Sequence, residues 1–391
     1  MTQSGDQLMT RTASRLLIAC IVAAPPLALA GQSGAFIVRL GTDTLALERY
    51  TRSAGRLEGE QVVRAPRTVH RLYSATFGRD GAIERFELVT HNVSGGPGPA
   101  ETKATMEFAG DSVFSAVPDR DSMAHLRVKV ALGTLPWHFQ NYALLEEIAR
   151  RARAAGGDRY TTTVLQLGDT DVWTVEVARV GRDSMTMVLG PLGTLRLRVD
   201  EGGTLLGLSG IGSTMQVTVE RVRGTLAFAA LGKSFAARSL GPLSPADSVR
   251  ASVAGAVLAV RYSRPSMRGR VIFGSMVPWN KVWRTGANQA TVLETSADLV
   301  VAGTPVPAGK YSLWTIPSPD GWKLILNSNT GQWGTDYAAK YDFARLDMKV
   351  ERLAQPVEQF TIAIAPQGDG QSGWLTLAWE RTRASVPFAK Q

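Results

Sequence analysis

Short segments in which apolar and polar residues alternate dominate the first half of the chain. They include "AFIVRL" (35–40), "RLEGEQVVR" (56–64) and "AIERFELVTHN" (82–92), and the same pattern resumes over 159–223. Alternation with period two predicts half-buried β-strands. Asp80-Gly81 between two such runs predicts a hairpin. The regular spacing indicates an antiparallel meander sheet curled around a core or cavity.

In one segment the apolar residues recur with the period of a helix. Trp137 to Ala155 contains no internal proline or glycine, follows Pro136 and is followed by Gly156-Gly157. Apolar residues recur there at helical spacing, and a proline before with glycines after is the usual order at helix ends. The sequence predicts a helix over 137–155.

Alternation fades over 225–250, where 226–239 predicts a short helix and the Pro-, Gly- and Ser-containing segment 241–254 predicts a linker. Strand patterns then return at a density typical of a two-sheet sandwich or jelly roll. The predicted class is therefore all-β with one long helix. A curved antiparallel domain over 31–240 carries the helix, and a β-sandwich domain covers 255–391.

The first thirty residues predict an export signal. Arg11 and Arg15 precede the apolar run "LLIACIVAAPPLALA", which ends in small residues before Gly31. The run is shorter than the roughly 20 apolar residues that span a bilayer and contains two prolines, so no stable transmembrane segment is expected after signal removal. The expected location is periplasmic or extracellular. A lipoprotein signal ending at Cys20 is the weaker alternative, because few apolar residues precede that cysteine.

The composition of the chain excludes further kinds of site and partner. Cys20 is the only cysteine, so its removal with a signal would exclude thiol catalysis and disulfides from the mature chain. The net charge is +9, yet lysines and arginines are scattered and form no basic run. A nucleic-acid partner is therefore not expected.

Cations, indoles and amides concentrate between residues 264 and 288. Guanidinium groups bind carboxylates and phosphates through paired donors, and an indole can stack on a sugar ring or a headgroup. The same arginines could instead pair with nearby acids, and the tryptophans could fill the core. The candidate ligand-binding residues are Arg264, Arg270, Trp283, Arg284 and Asn288, with Arg268 and Lys281 in the same segment.

A second polar segment, "NSNTGQWGTDY" (327–337), adds Trp333 as a further candidate and Tyr337 as a neighbouring aromatic residue. Such a segment between two strand patterns is typical either of a rim loop or of an ordinary connection with anchoring aromatics. Gly286 in "RTGAN" is expected at a turn with positive φ.

No catalytic motif is present. The four histidines show no metal-ligand spacing, and the nucleophile elbow, the phosphate-binding loop and the dinucleotide fingerprint are missing. We therefore expect no metal site and no cofactor, assign no catalytic residue and favour a non-enzymatic protein. Carboxylate chemistry of the glycosidase type stays open, although no pair of acids stands out for it.

The C-terminal part resembles the bacterial domain-of-unknown-function 2911 family. The resemblance rests on "RPSMRGRVIFG" (264–274), "VPWNKVWRTGANQAT" (277–291), "AGKYSLWTIP" (308–317), "GWKLILN" (321–327) and "WG" (333–334), in that order. Trp279 stands where the family often has tyrosine, and Gln289 where it often has glutamate. If an acid at position 289 were catalytic, this chain would lack it. The resemblance implies a secreted β-rich domain and no reaction.

Three functions follow as hypotheses. The first is an exported binding protein of the bacterial cell envelope that takes an anionic, carbohydrate or lipid component. The alternatives are a secreted hydrolase acting on polysaccharide or ester, and a structural or interaction protein of the envelope. The sequence leaves the oligomeric state and the identity of the small-molecule, glycan or lipid ligand undetermined.

Overall fold

The computed structural model describes residues 31–93, 99–190, 193–211, 216–224, 226–368 and 370–391. The predicted signal peptide 1–30, including Cys20, lies outside the described residues. Over the described ranges the chain forms two large sheets and two helices. The prediction of an all-β protein with little helix is therefore confirmed.

The first sheet is a long meander. Its strands are β1 (Gln32–Leu40), β2 (Asp43–Arg52), β3 (Arg56–Val63), β4 (Val69–Phe77), β5 (Ile83–Asn92), β6 (Glu101–Ala109), β7 (Ser112–Asp119), β8 (Ser122–Lys129), β9 (Leu135–Trp137), β10 (Arg159–Gln166), β11 (Val172–Arg179), β12 (Ser184–Leu189), β13 (Thr194–Val199), β14 (Leu205–Ile211) and β15 (Val217–Arg221). Their order in the sheet is β8 to β1 and then β15 to β9. Neighbouring strands are antiparallel except for β9 and β10, which are parallel.

Local turns fix this order. Asp80 and Gly81 form the predicted hairpin between β4 and β5, with Gly81 at φ +79 and the Asp80 carboxylate accepting the Ala82 N–H at 2.9 Å. Such turns place each strand beside the one before it. Among the described strands, the β1–β15 pair joins the beginning of this sheet to its end.

Helix α1 (Tyr142–Ala154) begins five residues later than the sequence predicts. Trp137 belongs instead to β9, which pairs with β10. The start is set by Asn141, whose side chain accepts the Leu144 N–H at 3.0 Å and caps the first turn. Gly156 follows the helix at φ +71, where glycine is favoured. The prediction of a helix from 137 was wrong because a good capping residue outweighs the apolar period before it.

Helix α1 lies inside the curve of the sheet. Leu145, Ile148 and Ala149 belong to the same buried cluster as Phe36 of β1 and Val164 of β10. The helix therefore occupies the concave side, where the sequence predicted a core or cavity.

Buried carboxylates tie this helix to the strands. Glu146 accepts hydrogen bonds from Tyr50, Arg150 and Arg221, and also from the Leu205 backbone N–H at 2.9 Å. Because buried carboxylates without partners are strongly destabilising, these contacts specify one position of the helix in the sheet.

Helix α2 (Phe228–Ala236) packs against the other face of the first sheet. Phe228 joins Leu47 of β2 and Val62 of β3 in a small separate cluster. The short helix predicted within 226–239 is confirmed.

The second sheet contains the C-terminal strands. They are β16 (Ala246–Val253), β17 (Ala256–Ser263), β18 (Thr291–Thr295), β19 (Leu299–Val301), β20 (Thr304–Val306), β21 (Gly309–Ile316), β22 (Trp322–Asn327), β23 (Asp342–Pro366) and β24 (Ser372–Lys390). Their order is β16-β17-β18-β21-β22-β23-β24-β19-β20. The linker predicted over 241–254 is wrong for 246–253, because β16 pairs with β17 along its whole length.

The two long strands β23 and β24 let this sheet enclose one core. On β24 the buried positions are Leu375, Leu377 and Trp379 before Glu380, and Ala384, Val386 and Phe388 after it. Glu380 has φ +54 and lies at a break in the register with β23. The inward positions thus change from odd to even numbers, as a β-bulge produces.

Candidate functional site

The segment 264–290 crosses the second sheet without forming a strand of its own. Isolated backbone bridges hold it: Ser266 with Gln359, Trp283 with Thr315, and Gln289 with Trp333. Arg268, Asn280, Thr285 and Asn288 have positive φ values between 51 and 61. The bridges place the predicted side chains in different environments.

Trp283 lies in the core. It is 6% exposed, stacks on Trp379 with ring centroids 5.8 Å apart, and meets Phe360 edge-on at 5.1 Å. Phe273 completes the cluster. Trp283 is therefore a packing residue and cannot contact a ligand at the surface.

Arg264 joins three parts of the second sheet. Its guanidinium donates to the Phe360 carbonyl at 3.0 Å, to the Thr361 hydroxyl at 2.8 Å and to Asp247 of β16 at 3.1 Å. These partners occupy the donors with which an arginine would bind a ligand, so Arg264 connects β16 to β23.

Arg270 bonds to its own turn. It donates to the Met267 carbonyl at 2.9 Å and to the Ser266 carbonyl at 2.7 Å. Burial, together with the neighbouring positive charge of Arg268, lowers the pKa of Arg270 to about 10. Arg268 forms an ion pair with Asp43, and its carbonyl accepts the Thr42 N–H at 2.9 Å, so this turn contacts the first sheet.

Arg284, Asn288 and Trp333 do come together. The Asn288 carbonyl accepts from the Arg284 guanidinium at 3.2 Å and from the Gly334 N–H at 3.0 Å. The absence of a side chain at Gly334 makes this approach possible, because a Cβ there would lie 2.2 Å from Cδ of Arg284. Trp333, next in the chain, is 49% exposed.

Arg264 is paired with Asp247. The charges of Glu358 and Asp43 act on Arg270, whose pKa burial also lowers. Arg284 differs from both arginines. Burial lowers its pKa, and no carboxylate among the described residues forms an ion pair with it. A half-buried guanidinium that bonds one carbonyl still has free donors for an anionic group. We call Arg284, Asn288 and Trp333 the indole–guanidinium surface.

The loop that carries Trp333 is anchored by Tyr337 and Gln332. The sequence indicated Tyr337 as a neighbouring aromatic residue. Tyr337 donates to Asp342 at 2.7 Å and packs on buried Trp314 at 5.1 Å, so it anchors the loop 327–341. Gln332 donates to the Ser312 hydroxyl at 3.2 Å. Gln332 and Gly334 were not among the candidate residues predicted from the sequence, although the "WG" motif (333–334) contains the glycine.

Gly286 takes φ +156, and a Cβ there would lie 3.0 Å from the Ser263 carbonyl. A glycine is therefore required for close packing at this turn. The Asn288 amide nitrogen lies 3.3 Å from the Ser263 hydroxyl, so "RTGAN" is held against the end of β17.

The indole–guanidinium surface is open to solvent at Asn288 and Trp333. Two cavities of about 390 and 430 Å³ are lined by other residues, on β6–β8 and on β12–β15 of the first sheet. Within the ranges that the structure covers, no three His, Cys, Asp or Glu side chains are grouped to hold a metal ion. None of the described helices has the length and apolar character needed to cross a membrane.

Two solved structures show distant similarity to parts of this chain. A beta-barrel-like protein of domain of unknown function DUF1849 from Brucella abortus is 13% identical, with a TM-score of 0.35 over 49% of this chain and 96% of the other. A DUF1089 family protein from Pseudomonas aeruginosa is also 13% identical, with a TM-score of 0.32 over 42% of this chain and 89% of the other.

Among curated proteins none matches the chain. The family comparison agrees with the motifs in the C-terminal sequence and finds no family for the region before them. Residues 244–388, the C-terminal third of the chain, match the family described as "Protein of unknown function (DUF2911)".

Proposed function

We propose that the chain is an exported, non-catalytic binding protein of the bacterial cell envelope. Its ligand is an acidic carbohydrate, and the indole–guanidinium surface binds it. The observation that carries this proposal is the Arg284 guanidinium, half-buried beside an exposed indole and bonded to one backbone carbonyl. Export rests on the signal pattern of residues 1–30.

The chemistry of the three side chains favours this ligand class. A guanidinium binds a sugar carboxylate through parallel hydrogen bonds, and an indole stacks on the apolar face of a sugar ring. Asn288 adds an exposed amide beside them. A surface open to solvent accommodates an extended polymer, whereas small molecules usually bind in enclosed pockets.

The hydrolase alternative receives no comparable support at this surface. Asp342 is bonded to Arg345, Tyr337 and Asn327, and Asp336 bonds to Thr335. Glycoside hydrolysis needs two carboxyl groups facing each other across a cleft. We therefore assign no reaction.

Binding of oligogalacturonate and of its methyl ester tests the proposal, because the pair differs in charge and otherwise only by one methyl group on each esterified sugar. We expect the acid to bind and the ester to bind about tenfold or more weakly, since the ester cannot form the charged hydrogen bonds. Arg284→Gln should remove this preference, and Trp333→Ala should weaken both ligands.

Lys281→Gln is the matched control, because it removes an exposed positive charge from the same segment. An acid preference that Lys281→Gln reduces as much as Arg284→Gln would indicate nonspecific attraction to a basic protein. Recovery of the full chain from the cytoplasm, with residues 1–30 still attached, would contradict export.

A further inference from the structure

The inner face of the first sheet carries a row of polar side chains. Gln61 of β3 pairs in register with Glu48 of β2 on one side and with Arg71 of β4 on the other. Arg71 alternates with Val69 and Tyr73, which pack in the core, whereas Leu72 is 41% exposed on the opposite face. Arg71 therefore points inward.

Glu48 does not neutralise Arg71. Its carboxylate accepts the Tyr73 hydroxyl at 2.6 Å and the N–H groups of Tyr142 and Ala143 at 2.8 and 3.3 Å. The residue opposite Arg71 on β5 is Thr90. The sequence from 88 to 100 contains no acidic residue that could serve instead.

Two of the three nitrogens of the Arg71 guanidinium lack partners. Its Nε and Nη1 atoms are buried and have no hydrogen-bond acceptor among the residues that the structure describes. Burial alone lowers its pKa to about 10, so the group still carries its charge at neutral pH. Arg71 is half-buried, and a charged group whose inner nitrogens lack acceptors is destabilising, which favours an occupant of opposite charge.

The connection between β9 and α1 lies against the same row. Gln61 Nε2 donates to the Gln140 carbonyl at 2.7 Å, and Gln140 has φ +68. Burial, and then the neighbouring charge of Arg71, lower the pKa of His138 to about 3. His138 is therefore neutral at physiological pH, and it lies close enough to the Arg71 guanidinium for that charge to lower its pKa.

The polar side chains of this connection are unsatisfied too. Over the described residues the buried atoms without a partner include Trp137 Nε1, His138 Nε2, Asn141 Nδ2, Gln140 Oε1 and Gln61 Oε1. Gln61, Trp137 and Gln140 are at most 7% exposed. Native proteins rarely leave so many polar atoms unpaired in one place.

We propose that Arg71, Trp137 and His138, with the amides of Gln61 and Gln140, form a binding site for a small oxyanion that carries a hydroxyl group. The guanidinium and the indole N–H donate to the anion's oxygens. The hydroxyl donates to an amide oxygen of Gln61 or Gln140, which an acceptor-only anion would leave unpaired. Hydrogen phosphate and 2-hydroxycarboxylates share this chemistry.

Ordered water is the competing occupant. Water can satisfy the amide and indole atoms, but it cannot neutralise the guanidinium. The two occupants therefore differ in their response to anions, which a titration can measure.

The test is thermal unfolding and calorimetric titration of the full chain, dialysed into chloride. The ligands are potassium phosphate, lactate, propionate and potassium chloride at equal ionic strength. We expect a saturable rise in Tm with phosphate or lactate, a smaller one with propionate, which lacks the hydroxyl, and none with added chloride. A response to phosphate alone or to lactate alone would identify which of the two sources the site accepts.

Arg71→Met should weaken the responsive anion about tenfold or more. Arg127→Met is the matched control, since Arg127 lies exposed over the Phe114 ring on β7 and β8 and its loss should leave the response unchanged. Should Arg71→Met fold poorly, Trp137→Phe removes one donor while keeping an aromatic ring and should also weaken binding. No saturable response to either hydroxylated anion, or an equal response in wild type and Arg71→Met, would overturn the proposal.

Discussion

Glu48 of β2 accepts the backbone N–H of Tyr142 at 2.8 Å, so a strand carboxylate holds the first turn of α1 inside the curved sheet. The Tyr73 hydroxyl donates to the same carboxylate at 2.6 Å. This contact joins the helix N-terminus to two strands. It places an ionisable group in the core, where its charge state affects the stability of the fold.

Glu48→Gln should change how stability depends on pH. Burial raises the pKa of Glu48 from 4.5 to about 7, against the hydrogen bonds from Tyr73, Tyr142 and Ala143. The folded state therefore holds a proton that the unfolded state releases between pH 4.5 and 7. The stability from this group is complete below pH 4.5 and is lost as the pH rises through 7. The proton on Glu48 contributes about 3 kcal/mol to the free energy of unfolding at low pH.

Urea unfolding of wild type and Glu48→Gln at pH 5 and pH 7.5 measures this difference. His138, whose lowered pKa contributes the opposite slope between pH 3 and 6.5, is common to both proteins and cancels. Exposed Glu84→Gln is the control and should follow the wild-type curve. A wild-type minus Glu48→Gln difference that does not change with pH would contradict the assignment.

Trp283→Ala should lower the stability of the fold much more than Trp333→Ala. Trp283 packs among Phe273, Phe360 and Trp379, so its truncation should cost about 3–5 kcal/mol of unfolding free energy. Trp333 is 49% exposed, and its loss should cost less than about 1 kcal/mol. Denaturant unfolding of both variants gives the comparison. Similar losses for the two would place Trp333 in the core as well.

Gly334→Ala should disrupt the indole–guanidinium surface. Its new Cβ would lie 2.2 Å from Cδ of Arg284 and 2.5 Å from the Asn288 carbonyl oxygen. Arg284 must move, so we expect binding of the acidic oligosaccharide to fall to the level of Arg284→Gln. Gly368→Ala is the control, because a Cβ there meets nothing within 4 Å. Unchanged affinity in Gly334→Ala would exclude Arg284 from the contact.

Much of the fold could be predicted because its strands are local meanders. Alternation marks individual strands such as β4 and β5, and the Asp80-Gly81 turn places them side by side. Pattern reasoning failed at the start of α1, because the capping side chain of Asn141 sets the first turn and the helical spacing of the apolar residues before it does not. It also failed for 246–253, because Pro, Gly and Ser nearby indicate a linker until β17 supplies a partner strand.

The site could be predicted only as a list of residue types. Arg264, Arg270 and Arg284 look alike in sequence, and each could bind a ligand or a neighbour. Arg264 and Arg270 use their donors within the protein because Asp247, Phe360 and the turn at Met267 lie beside them. Arg284 differs because none of the acidic residues that the structure describes forms an ion pair with it.

The sequence by itself determined the β class and the presence of a helix before Gly156, since periodicity and turn residues act over short distances along the chain, and its motifs indicated the family resemblance of the C-terminal third. Only the tertiary structure decided which cations are neutralised. It paired Arg264 with β16, packed Trp283 among aromatic rings, and brought no carboxylate of the described residues into an ion pair with Arg71 or Arg284. The reason is that pairing depends on which strands become neighbours, and residues such as Arg264 and Phe360 are 96 positions apart.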